Sequence, residues 1–391
     1  MSNIPKLRFP EFSGEWEEKR IQDFAECCAG ATPDTKKDEY WIDGTIPWMS
    51  SGEVNNTFIY STEKKITQLG YDKTSTKLLP SNTVVIALAG QGKTRGTVAI
   101  TRIELCTNQS LCAVLPDINL NSEYLFYFLS SQYKQLRNSS TGGDDSRGGL
   151  NLKIIGNFRL PYTTLAEQQK IAEFLSNVDS IITAETKILN TLQKKKKALM
   201  QKLFTRQLRF KFADGTDFPA WEEKKLGDVC EISAGGDIDK ENSQKIYSEQ
   251  YPYAVYSNSL ENKGLYGYAN YFKIDGNTIT VTGRGDVGHA IARHEKYVPI
   301  VRLLVCKPIN NENVDFLENA INNTKIFIES TGVPQLTAPQ LSNIFIKLPC
   351  IEEQQKIADC LSSIDSLIQT QQKVVTTWQQ RKKALLQQMF V

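Results

Sequence analysis

A mixed α+β (α/β) fold, with two globular units joined by two long antiparallel helices, is predicted for this 391-residue chain by three observations. The first is an internal repeat. Residues 167–172 read EQQKIA and residues 353–358 read the same, 186 positions later, inside windows (167–182 and 353–368) in which 11 of 16 residues are identical. The second is an apolar heptad pattern running through both copies. The third is that each copy follows a long stretch of short β-type runs and glycine turns, from Trp16 to Leu160 and from Trp221 to Leu348. A spacing near 190 residues is far above the 20–50 of repeat arrays, so the repeated unit is a domain plus an element.

Taken in chain order, residues 1–161 form the first globular unit. Thr83 to Ala89 (TVVIALA) reads as a strand, followed by a glycine-arginine turn, two further apolar runs and a helix-like stretch from Glu123 to Leu136. The first long helix occupies residues 162–206 and starts after Leu160-Pro161. Its apolar positions are Ile171, Leu175, Val178, Ile182, Leu189, Leu192, Leu199 and Leu203, in alternating steps of four and three, with Glu185 and Lys196 as polar members of the seam. Thr164 and Glu167 have the spacing of a capping box.

Residues 207–349 form the second globular unit, with a strand-like run at Thr278 to Thr282 and a helix-like stretch from Val314 to Ile321. The second long helix, residues 350–391, carries Ile357, Leu361, Ile364, Ile368, Val375, Trp378, Leu385 and Met389, with Gln371 and Lys382 as polar members. The helices, Leu165 to Phe204 and Ile351 to Phe390, span roughly 60 Å each at 1.5 Å per residue. Their direction follows from connection lengths. Only Thr205 to Ala220 separates the first helix from Trp221, and a unit of this size has a radius of gyration of roughly 14 Å. The second unit therefore lies near the end of the first helix and feeds the second helix back along it, giving an antiparallel pair and a pseudo-two-fold plan.

Composition narrows the class of protein. The chain is 40% hydrophobic and 23% charged, and its longest apolar runs are too short to cross a bilayer. The start, MSNIPKLRFP, lacks an apolar signal core, so a cytoplasmic protein without a membrane segment is expected. The eight cysteines are scattered and read as reduced thiols. Net charge is +2, but it is unevenly placed. Lys+Arg against Asp+Glu is 18 against 18 in residues 1–160, 8 against 4 in 161–206, 15 against 18 in 207–348 and 5 against 4 in 349–391. A nucleic-acid partner would need charge polarised onto one face, or help from another subunit.

The openings WEEKRIQDFAE and WEEKKLGDVCE, the Leu-Pro before each EQQKIA region, and the tails KKALMQKLF and KKALLQQMF resemble the specificity subunit of type I restriction-modification enzymes over the whole chain. The resemblance implies a bacterial, cytoplasmic, non-catalytic subunit. Its two target-recognition domains would each read one half of a split double-stranded DNA site, and the helical pair would set the spacer. It also implies two modification (adenine methyltransferase) subunits docking on the helices, and restriction subunits that hydrolyse ATP. S-adenosylmethionine, ATP and Mg would then belong to partner subunits, with no cofactor and no metal on this chain. In keeping with a non-catalytic chain, the sequence holds no NPP[YFW] or DPP[YFW] motif and no G-x-G-x-x-G opening a cofactor site. Gly92-Lys93-Thr94 mimics the end of a phosphate-binding loop, but the first glycine of that motif would fall at Ala87. A stand-alone nucleic-acid binder and a coiled-coil adaptor remain the alternatives.

Candidate DNA contacts are the glycine-rich loops carrying Arg, Lys, Gln, Asn, Ser or Thr, the side chains that read base edges. In the first unit these are Gln91, Lys93, Thr94 and Arg95, and Arg147 in the loop Thr141 to Gly149. In the second they are Ser257, Asn258, Arg284, His289 and Gln335. Any one polar loop residue most often simply faces solvent. Arg95-Gly96-Thr97-Val98 matches Arg284-Gly285-Asp286-Val287, and arginines shared by two different readers fit phosphate contacts better than base contacts. Base selection then falls to Gln91, Lys93, Asn258, His289 and Gln335. The seam residues Ile171, Leu175, Val178 and Ile182, with Ile357, Leu361, Ile364 and Ile368, are assigned to helix pairing and partner docking. The lysine run Lys194 to Lys197, echoed at Arg381 to Lys383, reads as a solvated face or a docking or DNA-spanning surface.

Overall fold

The computed structural model describes residues 4–90, 92, 94–139, 149–324, 326 and 335–390. The chain divides into two compact units, Met1–Lys187 with Lys373–Val391, and Ile188–Gln372. The division cuts across both long helices, so each unit owns a part of each.

In the first unit the strands are β1 (Glu17–Arg20), β2 (Ala25–Ala29), β3 (Ile46–Met49), β4 (Phe58–Ile59), β5 (Lys64–Ile66), β6 (Val84–Ala87), β7 (Val98–Thr101), β8 (Cys106–Thr107), β9 (Leu111–Pro116) and β10 (Arg159–Tyr162). They build a five-stranded sheet in the order β2-β9-β6-β7-β4, a three-stranded sheet β5-β3-β8 and a ribbon β1-β10. The central strand β6 is a continuous apolar run because both of its faces are covered. Val84 and Ile86 enter the core beneath the helices, and Val85 and Ala87 enter a second core.

The short helices are α1 (Gln68–Asp72), α2 (Ser122–Ser131), α3 (Tyr133–Asn138) and α4 (Leu152–Gly156). The single helix expected over Glu123 to Leu136 is broken at Gln132, whose backbone leaves helical geometry (φ −92°, ψ 14°). Asn121 caps α2 by accepting from the Tyr124 amide. The long helix α5 (Leu165–Phe204) has 40 residues.

The second unit repeats the plan. Its strands are β11 (Glu222–Lys225), β12 (Cys230–Ala234), β13 (Ser243–Gln244), β14 (Tyr253–Tyr256), β15 (Leu265–Ala269), β16 (Thr278–Val281), β17 (Ala290–Arg293), β18 (Tyr297–Pro299), β19 (Leu304–Pro308) and β20 (Phe345–Leu348). They form the sheets β12-β19-β16-β17 and β13-β15-β14-β18 and the ribbon β11-β20. The parallel pair β3-β8 recurs as β14-β18. Only one face of β16 is apolar. Ile279 and Val281 enter the core, whereas Thr278 bonds the Tyr297 hydroxyl (2.8 Å) and Thr280 accepts from Arg293 Nε (3.0 Å). The helices are α6 (Leu226–Val229), α7 (Val314–Asn322), α8 (Ala338–Ser342) and the long α9 (Ile351–Met389), of 39 residues.

Both heptad seams are inward. Ile171, Leu175, Val178, Leu189 and Leu203 are buried, as are Ile357, Leu361, Val375 and Met389. Ile182, Leu192, Leu199, Ile364, Ile368, Trp378 and Leu385 are half-buried. In the first unit Ile171 and Leu175 share a core with Leu385, Met389 and Phe390, and further along α5 Asp179 meets Lys382. Numbers rise on one helix as they fall on the other, so the pair is antiparallel. The second unit shows the same sense, with Leu199 and Leu203 against Ile357 and Leu361, and Lys196 meeting Asp365.

Two of the four polar seam members, the lysines, are thereby explained. Lys196 and Lys382 are equivalent in the repeat, as are Asp179 and Asp365, and each lysine pairs across the helices with the other copy's aspartate (Nζ to Oδ1 2.6 Å in both). Lys196 is therefore not part of a freely solvated lysine face. Among the described residues no helix is long and apolar enough to cross a membrane.

Candidate nucleic-acid interface

The loops stand on a joint built from the repeated residues. Glu167 is buried at the start of α5, where its carboxylate accepts from Arg8 (Nε 2.7 Å, Nη2 2.8 Å), Trp16 Nε1 (3.1 Å) and the Thr163 hydroxyl. Glu353 is buried at the start of α9 and accepts from Arg209 (Nε 3.1 Å, Nη2 2.6 Å) and Trp221 Nε1 (3.0 Å). The neighbouring glutamines fasten a second element. Gln168 accepts from the amide of the α2 cap Asn121 and donates to Thr163 O, while Gln354 accepts from the amide of the α7 cap Asn313 and donates to Pro349 O.

Leu7-Arg8-Phe9 recurs as Leu208-Arg209-Phe210, so three separated repeats, Leu-Arg-Phe, Trp-Glu-Glu-Lys and Glu-Gln-Gln-Lys, are one structural feature. The capping box expected at Thr164 is only half made. Thr164 Oγ1 accepts from the Glu167 amide (3.3 Å), but the Glu167 carboxylate is engaged by Arg8, Trp16 and Thr163. Burial pushes the Glu167 carboxyl up, yet the Arg8, Thr163 and Trp16 bonds and the Arg8 charge outweigh it and leave its pKa below the ordinary value.

The hairpin after the central strand carries the first group of predicted contacts, and backbone bonds fix its equivalences. Ala87 exchanges bonds with Thr97 and Gly96, as Thr282 does with His289 and Gly288, and both glycines are left-handed (φ 80° and 87°). One position on, Leu88 O accepts from Leu150 N, as Gly283 O accepts from Leu336 N. Arg284 therefore corresponds to Ala89, and Arg95 to Val287. The match between Arg95-Gly96-Thr97-Val98 and Arg284-Gly285-Asp286-Val287 is out of register by three residues, so these arginines are not a shared phosphate contact. Arg95 is 4% exposed and belongs to the interior, whereas Arg284 is exposed. Gln91, Lys93 and Arg147 lie outside the described residues, and Thr94 is half-buried with its carbonyl bonded to the Thr97 amide.

In the second unit the predicted residues converge. A Cβ placed on Gly283 would stand 2.9 Å from Leu336 O and 3.2 Å from Arg302 O, so three loops meet there and only glycine fits. Asn258 bridges two of them, accepting from the Gly283 amide (2.7 Å) and donating Nδ2 to Val301 O (2.6 Å). Its amide thus holds the loops together, a structural role alongside the base contact expected from the sequence. Arg284 Nη2 reaches Gln335 Oε1 (3.4 Å) and the two residues form a β-bridge. Ser257 is half-buried beside Asn258, and its Oγ lies 3.5 Å from Gly264 O.

His289 is exposed at the far end of the same hairpin, with its amide bonded to Thr282 Oγ1 (2.9 Å). Partial desolvation holds its imidazole below the ordinary value; the Asp286 carboxylate opposes the shift and the Arg293 guanidinium adds to it. A neutral ring that can both donate and accept follows at neutral pH.

Two cations missed by sequence reasoning join this surface. Arg302 is exposed and its amide bonds Gly235 O (3.1 Å), and Lys273 Nζ lies 3.9 Å from where a Gly236 Cβ would be. Neither lies in a glycine-rich loop, so no local sequence pattern marks it. Among the described residues no group of three or more His, Cys, Asp or Glu could hold a metal ion.

A family model described as "Type I restriction modification DNA specificity domain" matches residues 13–194 and 220–377. The MjaIX specificity subunit of Methanocaldococcus jannaschii is 30% identical over 60% of this chain, an alignment spanning 55% of that relative. The MjaVIII specificity subunit of the same archaeon is 27% identical over 97% of this chain and 92% of its own length. In structure the chain resembles the type I restriction-modification system S subunit from M. genitalium, with a TM-score of 0.68 and 17% identity over 99% of both chains. That likeness shows the fold.

Proposed function

The chain belongs to the type I restriction modification DNA specificity family, both of its halves matching the family description, and from that premise we propose that it is the sequence-specific DNA-binding subunit of a type I restriction-modification complex. Each unit reads one half of a bipartite, asymmetric site. The observation that carries this reading is the contrast between a shared frame and unshared loops. The Arg-Trp-Glu joint and the capping glutamine repeat residue for residue, and four strands of the central sheet recur in the same order. At equivalent positions on the hairpins the side chains differ: Ala89 against Arg284, and Thr97 against His289. Recognition residues vary while their support stays fixed.

The helical pair sets the spacer and docks two modification subunits. Coils of roughly 60 Å at 3.4 Å per base pair place the half-sites within one to two duplex turns. The chain acts in the cytoplasm and is itself non-catalytic. S-adenosylmethionine is held by the methyltransferase partners, and ATP and Mg by the restriction subunits. The test is duplex binding by the full chain with and without a modification partner, in competition with unrelated DNA. Specific binding that requires the partner supports the reading. Specific binding by the chain alone would favour a stand-alone binder, and loop substitutions without effect on DNA would favour an adaptor.

A further inference from the structure

The connection between β18 and β19 in the second unit is flanked by the same backbone bonds as the connection between β8 and β9 in the first. Ile300 N donates to Tyr256 O (2.9 Å) as Asn108 N donates to Met49 O (3.1 Å), and Leu303 N returns to Ile300 O (3.1 Å) as Leu111 N returns to Asn108 O (3.3 Å). The two residues at the tip are Val301-Arg302 in one unit and Gln109-Ser110 in the other.

Their conformations then part. Val301 and Arg302 are both left-handed (φ 55° and 61°), a state disfavoured for any residue with a Cβ and most of all for a β-branched one, whereas Gln109 and Ser110 are not. The change has a visible consequence. In the first unit Ser110 O accepts from the Leu88 amide (2.8 Å). In the second the equivalent amide, Gly283 N, bonds the Asn258 side chain, which also holds Val301 O. A side chain has replaced a main-chain bond so that the tip can turn over, and Arg302 is left exposed beside Arg284 and Gln335. Strain kept at an exposed position, with a dedicated residue holding it, points to function.

We propose that this two-residue tip is a base-reading position in both units, and that Arg302 reads a guanine in the half-site of the second unit through the paired acceptors on that base's major-groove edge. The proposal rests on the DNA-reading role argued above. Unlike Lys273, Arg302 occupies a position whose frame is shared and whose side chain is not, as a specificity determinant must.

The test uses the full chain with its modification partner and a library of bipartite duplexes. Arg302→Ala should relax preference at one base pair of one half-site by roughly 10- to 100-fold, leaving the other half-site and the spacer unchanged. Arg302→Gly should relax the same position while unfolding no more readily than the parent, because glycine accepts the left-handed backbone without strain. A uniform loss for all sequences with a shallower salt dependence would make Arg302 a phosphate contact and overturn the proposal, as would unchanged preference. A parent complex without sequence preference would overturn the DNA-reading role itself, which the parent measurement reveals separately.

Discussion

At the residue scale, the buried glutamates at the helix starts tie each globular unit to its helix. Removing Glu353 leaves the Arg209 guanidinium and the Trp221 N–H without their acceptor, and removing Glu167 does the same to Arg8 and Trp16. Glu167→Ala or Glu353→Ala should each cost about 3 kcal/mol of unfolding free energy, measured by denaturant titration.

Glu167 also predicts a pH dependence. Its folded pKa is depressed, so its contribution is fully present above the ordinary glutamate value of 4.5 and is lost as pH falls through the folded-state value. Glu167→Gln should flatten the fall in stability below about pH 5. The buried and the exposed arginine should behave differently. Arg95→Ala should lower stability by about 2 kcal/mol with DNA preference intact, as an interior residue would. Arg284→Ala should relax base preference in the second unit's half-site and leave the other half-site unchanged. The sequence showed that Arg8, Trp16 and Glu167 recur, but not that they touch. Glu167 lies 151 positions from Trp16, and no local pattern reports a contact of that separation.

At the element scale, the reciprocal Asp-Lys pairs give the helical seam its register. Asp179 and Lys382 are largely enclosed (side chains 11% and 19% exposed), and the Tyr127 hydroxyl donates to Asp179 (2.9 Å). Lys196 and Asp365 are more open, at 25% and 38%. Double-mutant cycles on thermal unfolding should therefore find a coupling of about 2 kcal/mol for Asp179 with Lys382 and below about 1 kcal/mol for Lys196 with Asp365. Equal couplings would contradict the burial argument.

The long helices were the most legible elements, because a heptad period sustained over 40 residues has no competing interpretation; α5 spans Leu165–Phe204 as expected and α9 stops one residue early. The hairpin was the least legible. Its loop has ten residues (88–97) in one unit and eight (282–289) in the other. With unequal lengths a four-residue likeness aligned the wrong arms, and only backbone bonds restored the register. Arg302 was missed because its exposure comes from a left-handed turn that neither valine nor arginine announces.

At the scale of the whole molecule, identity and difference have separate tasks. The buried repeated residues join helix to globular unit and helix to helix, and they would be the same whatever the two units read. The divergent residues sit at matching backbone positions on the exposed hairpins and tips, where the same frame presents Ala89 or Arg284, Ser110 or Arg302. A molecule built this way should bind two unlike short sequences at a fixed separation. The most direct measurement is a genome-wide map of methylated adenines in cells expressing this chain with its modification partner. The account predicts one split motif with two different halves and a constant non-specific gap. A continuous, palindromic motif would contradict it.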